Sequence, residues 1–220
     1  MGKLVNITTS LHELSKREYL ARMVDNKVDC MKIAKQYDKD YWDGDRRYGY
    51  GGYIYMPGRW KMVAEELIKN YNLTNESSVL DVGCGKGFMI YDFYKLIDNI
   101  KLYGIDISKY AIENCHQEIK SLVKVGNAKK LEFRDNEFDY IISINTIHNL
   151  DKEDCIKAIK EISRVSKKGS FITVDAYRNE DEKKRMYDWN LTAKTIMSVN
   201  EWKELFDKVD YKGDYYWFIP

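Results

Sequence analysis

The chain has 220 residues, 44% hydrophobic and 32% charged, which is more than one average domain, fewer than two, and too apolar for a disordered chain. Lys+Arg 36 balance Asp+Glu 35 for a net charge of +1, so no basic excess points to nucleic acid and no acidic excess to a solvating tail. Apolar runs such as Phe88-Met89-Ile90-Tyr91 fall far short of the roughly 18 residues of a membrane span, the N-terminus turns polar at once, and four scattered cysteines (Cys30, Cys84, Cys115, Cys155) suit neither disulfide staples nor zinc knuckles. The expectation is a cytoplasmic globular protein with no membrane or metal partner.

In chain order, Ser10-x-x-Glu13 has the form of a capping box, with Leu11, Leu14, Tyr19, Leu20 and Met23 on one helical face. Val28, Met31, Ala34 and Tyr37 repeat at helical spacing. Residues 37–60 break the pattern with tyrosines, tryptophans, glycines and arginines. Pro57 suits a first helical turn, and Trp60, Val63, Ala64, Leu67, Ile68 and Tyr71 carry that helix onward. From Ser77 strands and helices alternate. Strands are predicted at Val79–Val82, Lys101–Ile105, Leu122–Val125, Phe138–Ile144, Ser170–Val174 and Tyr215–Ile219. Helices are predicted at Phe88–Ile97, from a Ser108 cap through Ile119, at Asp151–Ser166, and near 179–193 and 199–208. Alternation at these lengths implies parallel strands joined by right-handed crossovers. The fold class is therefore α/β, a doubly wound, mostly parallel sheet of about six strands under an N-terminal helical cap.

The informative stretch is Val79-Leu80-Asp81-Val82-Gly83-Cys84-Gly85-Lys86-Gly87, a strand running into a glycine-rich turn and a helix. Glycines let backbone approach a ligand, and the helix start offers unpaired N–H groups. A second acid, Asp106, ends the next strand, at the sheet edge where such folds bind ligands. It is placed to accept from two ribose hydroxyls. A third glycine for the dinucleotide fingerprint would fall at Phe88, and Lys86 is followed by Gly87 rather than a hydroxyl residue, so neither G-x-G-x-x-G nor the phosphate loop is present. Asp81 beside the turn repels phosphate and suits an ammonium. The pattern favours an adenosine ligand that carries an ammonium and no phosphates.

Val79–Gly87 resembles motif I of the class I S-adenosylmethionine-dependent methyltransferases, and Tyr103-Gly104-Ile105-Asp106-Ile107-Ser108 resembles their second-strand motif. Gly126-Asn127-Ala128 is similar to the Gly-Asp-Ala turn after strand three, and Asn145-Thr146-Ile147-His148-Asn149-Leu150 to the segment that closes over the donor in small-molecule enzymes. The resemblance spans about residues 57–219. It implies S-adenosylmethionine as cofactor, held by Asp81, Gly83, Cys84, Gly85, Gly87, Asp106, Ile107, Asn127, Ala128 and Asn145. It divides the chain into a cap and aromatic lid (1–56) and a donor-binding domain (57–220). The family's antiparallel seventh strand has no clear counterpart before Pro220.

In-line methyl transfer asks mostly for positioning, with a general base only where the acceptor must lose a proton. His148, Tyr50, Arg46, Arg47 and Tyr177 are the candidates at the acceptor side. His148 is a base or an orienting group, or else packs against the donor. The arginines fork onto a carboxylate or phosphate, or pair internally with Asp43 and Asp45. Asp175 and Arg178 complete the acceptor site, or Asp175 ends its strand; Trp189 covers the site or belongs to the core. The expected function is methylation at O or N of a small polar, anionic acceptor (a sugar, an amino acid or a nucleotide derivative) by a monomer or homodimer that binds no nucleic acid. The alternatives are a lyase or cyclase acting on the same cofactor, and a non-catalytic cofactor-binding subunit.

Overall fold

The computed structural model describes residues 2–9 and 26–219; the helix read over residues 10–23, with His12, lies outside them. The cap contributes α1 (Lys27–Ala34) and α2 (Lys39–Asp43), followed by a 3-10 turn at Arg46–Tyr48. Then come α3 (Lys61–Tyr71), β1 (Ser78–Val82), α4 (Phe88–Leu96), β2 (Lys101–Asp106), α5 (Lys109–Glu113) and β3 (Val123–Val125). β4 (Phe138–Ile144), α6 (Lys152–Val165), β5 (Ser166–Tyr177), α7 (Glu180–Trp189), β6 (Met197–Ser198), α8 (Val199–Lys208) and β7 (Asp214–Phe218) complete the chain.

The sheet has seven strands in the order β3-β2-β1-β4-β5, with β7 beside Phe171–Asp175 of β5 and the two-residue β6 beside Ala176–Tyr177. Every pair is parallel, so among the described residues the final strand runs parallel to β5 and no antiparallel strand joins the sheet. Residues near the N-terminus cover the outer edge of β7 instead: Val5 N donates to Tyr215 O and Tyr215 N to Lys3 O, both at 3.0 Å. Covering that edge removes a row of unpaired backbone groups.

Period-two alternation sends side chains of each central strand to opposite layers. Leu80, Val82, Ile141, Ile172 and Val174 pack under α6 and α8 with Ile159, Ile162, Trp202 and Phe206. Val79, Leu102, Ile142, Ile144 and Phe171 face α3 and α4 with Val63, Leu67, Ile90 and Phe93. Burial on both faces explains why β4 reads as an almost unbroken apolar run.

Several elements differ from the sequence reading: the two-residue β6, not expected, brings the sheet to seven strands rather than about six, and α7 ends at Trp189. Pro57 sits in a turn, and α3 begins at Lys61. The helix capped by Ser108 ends at Glu113, and a separate 3-10 helix follows at Gln117–Leu122, started by His116 accepting from Glu118 N. β5 extends both ways to twelve residues, because its polar start pairs through backbone with β4, Ser166 opposite Phe138.

Candidate active site

The carboxyl ends of β1, β2, β4 and β5 open into a cavity of about 420 Å³, roofed by the cap and by residues 189–194. Beneath it, Gly83 N and Cys84 N donate to Ile105 O at 2.8 and 3.0 Å, fixing the glycine turn to β2. Gly83 has φ 89° and Gly85 φ 57°, the left-handed region that favours glycine. A Cβ on Gly83 would run into Thr146 of the turn after β4, and one on Gly85 would meet the Trp42 ring at 3.0 Å. Gly87 closes the turn as the N-cap of α4, backed by Ile119.

Two buried acids flank this turn. Asp106 accepts from Ser108 N through one oxygen and from Gly85 N through the other, both at 2.8 Å, and burial pushes its carboxyl up. Asp81 is pushed up to about 8, first by burial and then by Asp106. A cationic ligand relieves both costs, since carboxylates out of water need a partner. Ile107, 56% exposed, offers a bare apolar platform at the end of β2. Asn127 Oδ1 accepts from Lys129 N at 3.0 Å, which leaves it one lone pair for an amino group. Asn145, at φ 51°, is locked to β5: its N donates to Thr173 Oγ1 and its Oδ1 accepts from the same hydroxyl, each at 2.8 Å. Together these residues fit an adenosyl sulfonium, with acids for its hydroxyls and ammonium and bare backbone for its amino-acid arm.

The roof is aromatic. Trp42 and Tyr50 stack at 5.3 Å and 3°, with Tyr53 4.4 Å from Tyr50. Trp42 Nε1 donates to Ser108 Oγ at 2.9 Å, so the cap is tied to the strand end that carries Asp106. Lys86, inside the glycine turn and 5% exposed, pairs with both oxygens of Asp43 at 2.7 Å; Asp43 also accepts from Tyr110 Oη at 2.8 Å and Tyr53 N at 3.0 Å. Asp43 thus engages Lys86 rather than an arginine, and Asp45 caps the 3-10 turn by accepting from Arg47 N. Trp60 Nε1 donates to Tyr53 Oη at 3.1 Å. Arg59 also lines the cavity, its Nε buried with no hydrogen-bond partner among the described residues.

On the β5 side, His148 is 3% exposed. Asp175 engages both its ring nitrogens: Nδ1 accepts from Asp175 N at 3.2 Å, and Nε2 lies 3.3 Å from Asp175 Oδ2. Burial depresses the imidazole to about 3, so it is neutral. Asn190 Nδ2 also donates to Asp175 Oδ2, while Asn190 Oδ1 accepts from Thr192 N and Ala193 N. His148 O accepts from Lys194 N and Thr195 N. This network holds residues 189–194 against the cap, where Leu191 packs with Cys30 and Ala34.

Of the residues expected at the site, Asp81, Gly83, Cys84, Gly85, Asp106, Ile107, Asn127, Ala128, Asn145, His148, Tyr50 and Arg46 line the cavity. Gly87, Arg47 and Tyr177 do not. Arg47 lies over the Tyr48 ring at 4.8 Å. The Tyr177 hydroxyl is 3.5 Å from Glu201, because the final residue of β5 turns toward β6. Trp189 does line the cavity, in ring contact with Phe218 at 5.1 Å. Trp42, Lys35 and Asn190 join it without having been singled out; a tryptophan within the glycine–aromatic stretch was the available signal for Trp42.

A parallel α/β sheet with a glycine turn and paired acids at its carboxyl edge defines a nucleoside-binding Rossmann-like protein. Residues 73–214 match a family described as a methyltransferase domain; the chain belongs to that family and is an S-adenosylmethionine-dependent methyltransferase. Its relatives include an uncharacterised Methanocaldococcus jannaschii protein, 27% identical over 83% of this chain and 79% of that one. An Arabidopsis thaliana tRNA (carboxymethyluridine(34)-5-O)-methyltransferase is 32% identical over 66% of this chain and 34% of the relative. A Staphylococcus saprophyticus demethylmenaquinone methyltransferase is 29% identical over 49% and 48%. The chain thus spans between a third and a half of the two named enzymes. The Bacillus subtilis YcgJ structure superposes with a TM-score of 0.53 at 24% identity, covering 66% of each chain, a likeness of fold. No described helix is long and apolar enough to cross a membrane, and no group of three or more metal-ligating side chains gathers among the described residues.

Proposed function

We propose that the enzyme methylates a small anionic acceptor at oxygen or nitrogen, with residues 26–56 acting as cap and lid over the donor domain, 57–220; the first residues, expected in the cap, instead pair with β7. In this reading Asp106 takes the ribose hydroxyls and Asp81 the donor's ammonium. Gly83 and Gly85 leave room for the methionine arm, while Ile107, Asn127 and Ala128 receive the adenine. Arg59, which lines the cavity with its Nε buried, suits the donor's carboxylate. Arg46, Tyr50 and Lys35 then face the acceptor. Bound S-adenosylmethionine supplies an electrophilic methyl on a sulfonium; the chain's own residues orient it, exclude water with the aromatic roof and hold the acceptor in line, work for which orientation is worth up to about 7–11 kcal/mol.

The observation that carries the reading is the pair of buried acids at adjacent strand ends beside a turn with no room for a Cβ. The named relatives act on a carboxymethyluridine of tRNA and on demethylmenaquinone, so the family alone leaves the acceptor open; the cations at the cavity support an anion. The test is calorimetry with S-adenosylmethionine and S-adenosylhomocysteine, followed by transfer of tritiated methyl to 5-carboxymethyluridine, amino acids and sugar acids. Absence of binding to either nucleoside at millimolar concentration would sink it.

A further inference from the structure

Resting on the methyl-transfer reading and deepening it, we propose that Arg59 sets the enzyme's donor selectivity. It holds the carboxylate of the amino-acid arm, so the site takes intact S-adenosylmethionine and rejects the decarboxylated sulfonium, which carries the same adenosine and the same ammonium. Local sequence aims this side chain. Arg59 N donates to Met56 O at 3.1 Å, closing Met56-Pro57-Gly58-Arg59, and Gly58 has φ 85°. Proline at the second position and a left-handed glycine at the third mark a type II turn. The next residue, Trp60, is the N-cap of α3, so a stiff turn on one side and a packed helix on the other fix the Arg59 backbone. Trp60 Nε1 donates to Tyr53 Oη at 3.1 Å, and Tyr53 packs on the start of α4, 4.9 Å from the Phe88 ring. A Tyr53 ring carbon lies 3.8 Å from where a Cβ on Gly85 would sit. The segment that carries Arg59 is thereby anchored to the glycine turn.

The hydrogen bonds of Arg59 then point to its ligand. Nη1 turns to the Met56 sulfur at 3.6 Å, a weak acceptor, and the buried Nε has no hydrogen-bond partner among the described residues. A guanidinium N–H shut away from water costs free energy until an acceptor reaches it, and a carboxylate is the acceptor its planar fork matches. Asp81, buried on the same cavity, is the opposite pole. An α-amino acid spans the two, its ammonium toward Asp81 and its carboxylate toward Arg59, with the bare backbone of Gly83 and Gly85 beneath. A site built to hydrogen-bond one group of a ligand discriminates strongly against the analogue that lacks it, because the site's own group is then left unpaired. The decarboxylated sulfonium leaves Arg59 Nε in that state. It also brings an ammonium and a sulfonium beside a guanidinium with no negative charge between them, which is repulsive.

Calorimetry with three nucleosides tests this without an acceptor. S-Adenosylmethionine carries both charges of the arm, its decarboxylated form keeps the ammonium alone, and methylthioadenosine has neither. The wild type should bind the intact donor at least about tenfold more tightly than the decarboxylated one. In Arg59→Met that preference should fall to about threefold or less, while methylthioadenosine affinity changes by less than about threefold, which also reports a folded site. The same fall is expected in Arg59→Gln, which stands in if the methionine variant does not fold. A wild-type preference below tenfold overturns the proposal. So does a preference that stays above threefold in the variants, which would assign Arg59 to the acceptor. Equal weakening of all three nucleosides in a folded variant overturns it as well, since that is the mark of a purely structural role. Failure of the wild type to bind any of the three would instead indict the methyl-transfer reading.

Discussion

The two halves of the cavity are built by different means. On the side proposed for the donor the backbone does the work: β1 and β2 run in register from Ser78 opposite Lys101 to Val82 opposite Ile105, so Asp81, the glycine turn and Asp106 are set by the sheet itself. On the side proposed for the acceptor residues 37–60 contain nothing longer than the five residues of α2 and hang on side chains. Trp42 reaches Ser108, Asp43 reaches Lys86, and Tyr55 Oη donates to Asp92 at 2.6 Å. A sheet-borne site is as stiff as the core, while a roof held by a few polar contacts opens at the free energy of those contacts. Substitutions should therefore separate cleanly into those that remove the donor and those that loosen the roof.

The largest effect is expected at Asp106. In the proposed binding mode Asp106→Ala removes a charged acceptor from two ribose hydroxyls, and it strands Gly85 N and Ser108 N, at about 1–3 kcal/mol for each interaction lost. Calorimetry should show donor affinity falling more than about 100-fold. A fall of less than tenfold would mean the ribose sits elsewhere.

Next comes the latch between the halves. Asp43→Ala leaves the Lys86 ammonium buried and alone; breaking a fully buried pair costs about 3–5 kcal/mol, and the partial exposure of Asp43 lowers this to about 2–3 kcal/mol. Hydrogen exchange at Tyr53 N, which Asp43 also accepts, reads the loss directly. The double variant Lys86→Met, Asp43→Leu should recover most of it, because two matched apolar groups leave no orphaned charge. If the double variant is as loose as the single one, Asp43 holds the roof through Tyr110 and Tyr53, and Lys86 is incidental.

A smaller and continuous effect follows from Asp81. With its carboxyl at about 8, the ligand-free protein holds that proton at pH 6, and an arriving ammonium must displace it. Donor affinity should rise by up to tenfold per pH unit from 6 toward 8 and level off where an α-amino group itself begins to deprotonate, near about 8. Stability of the ligand-free protein runs the other way. A carboxyl raised above its unfolded value stabilises fully at acid pH below that value, and this contribution is lost as pH climbs through about 8. Asp81→Asn should flatten both curves, and calorimetry in buffers of different ionisation heat should show proton release in the wild type alone.

The same contrast explains what could be read from the sequence. The glycine turn, Asp81 and Asp106 were legible because each sits within a few residues of a strand end, and β4 was legible because a strand buried on both faces is apolar throughout. β5 was read too short, since Ser166-Lys167-Lys168-Gly169 carry no apolar pattern and pair through backbone alone. The roof was legible only as an odd composition. That Trp42 lies on Gly85, that Lys86 takes Asp43, and that Leu191 meets Cys30 and Ala34 are tertiary facts with no local signature. His148 was located correctly beside the cavity, but its engagement by Asp175 depends on how β5 ends against the turn after β4.

The smallest effects sharpen the boundary of the acceptor half. Arg46 lines the cavity, its guanidinium donating to Gly49 O, whereas the next residue, Arg47, turns to Tyr48, with Nη2 2.8 Å from the hydroxyl. Tyr177 lies beneath Lys183, 5.5 Å from ring centroid to ammonium. Arg47→Ala and Tyr177→Phe, both outside the cavity lining, should each change donor affinity and acceptor KM by less than about 0.5 kcal/mol, within about twofold to threefold. Arg46→Ala should raise acceptor KM at least tenfold with donor affinity unchanged. If Arg47→Ala matches Arg46→Ala in KM, the roof rotates about Gly44 and Gly49 when the acceptor enters, bringing the second arginine inward, and the arrangement of the 3-10 turn seen here is the open form.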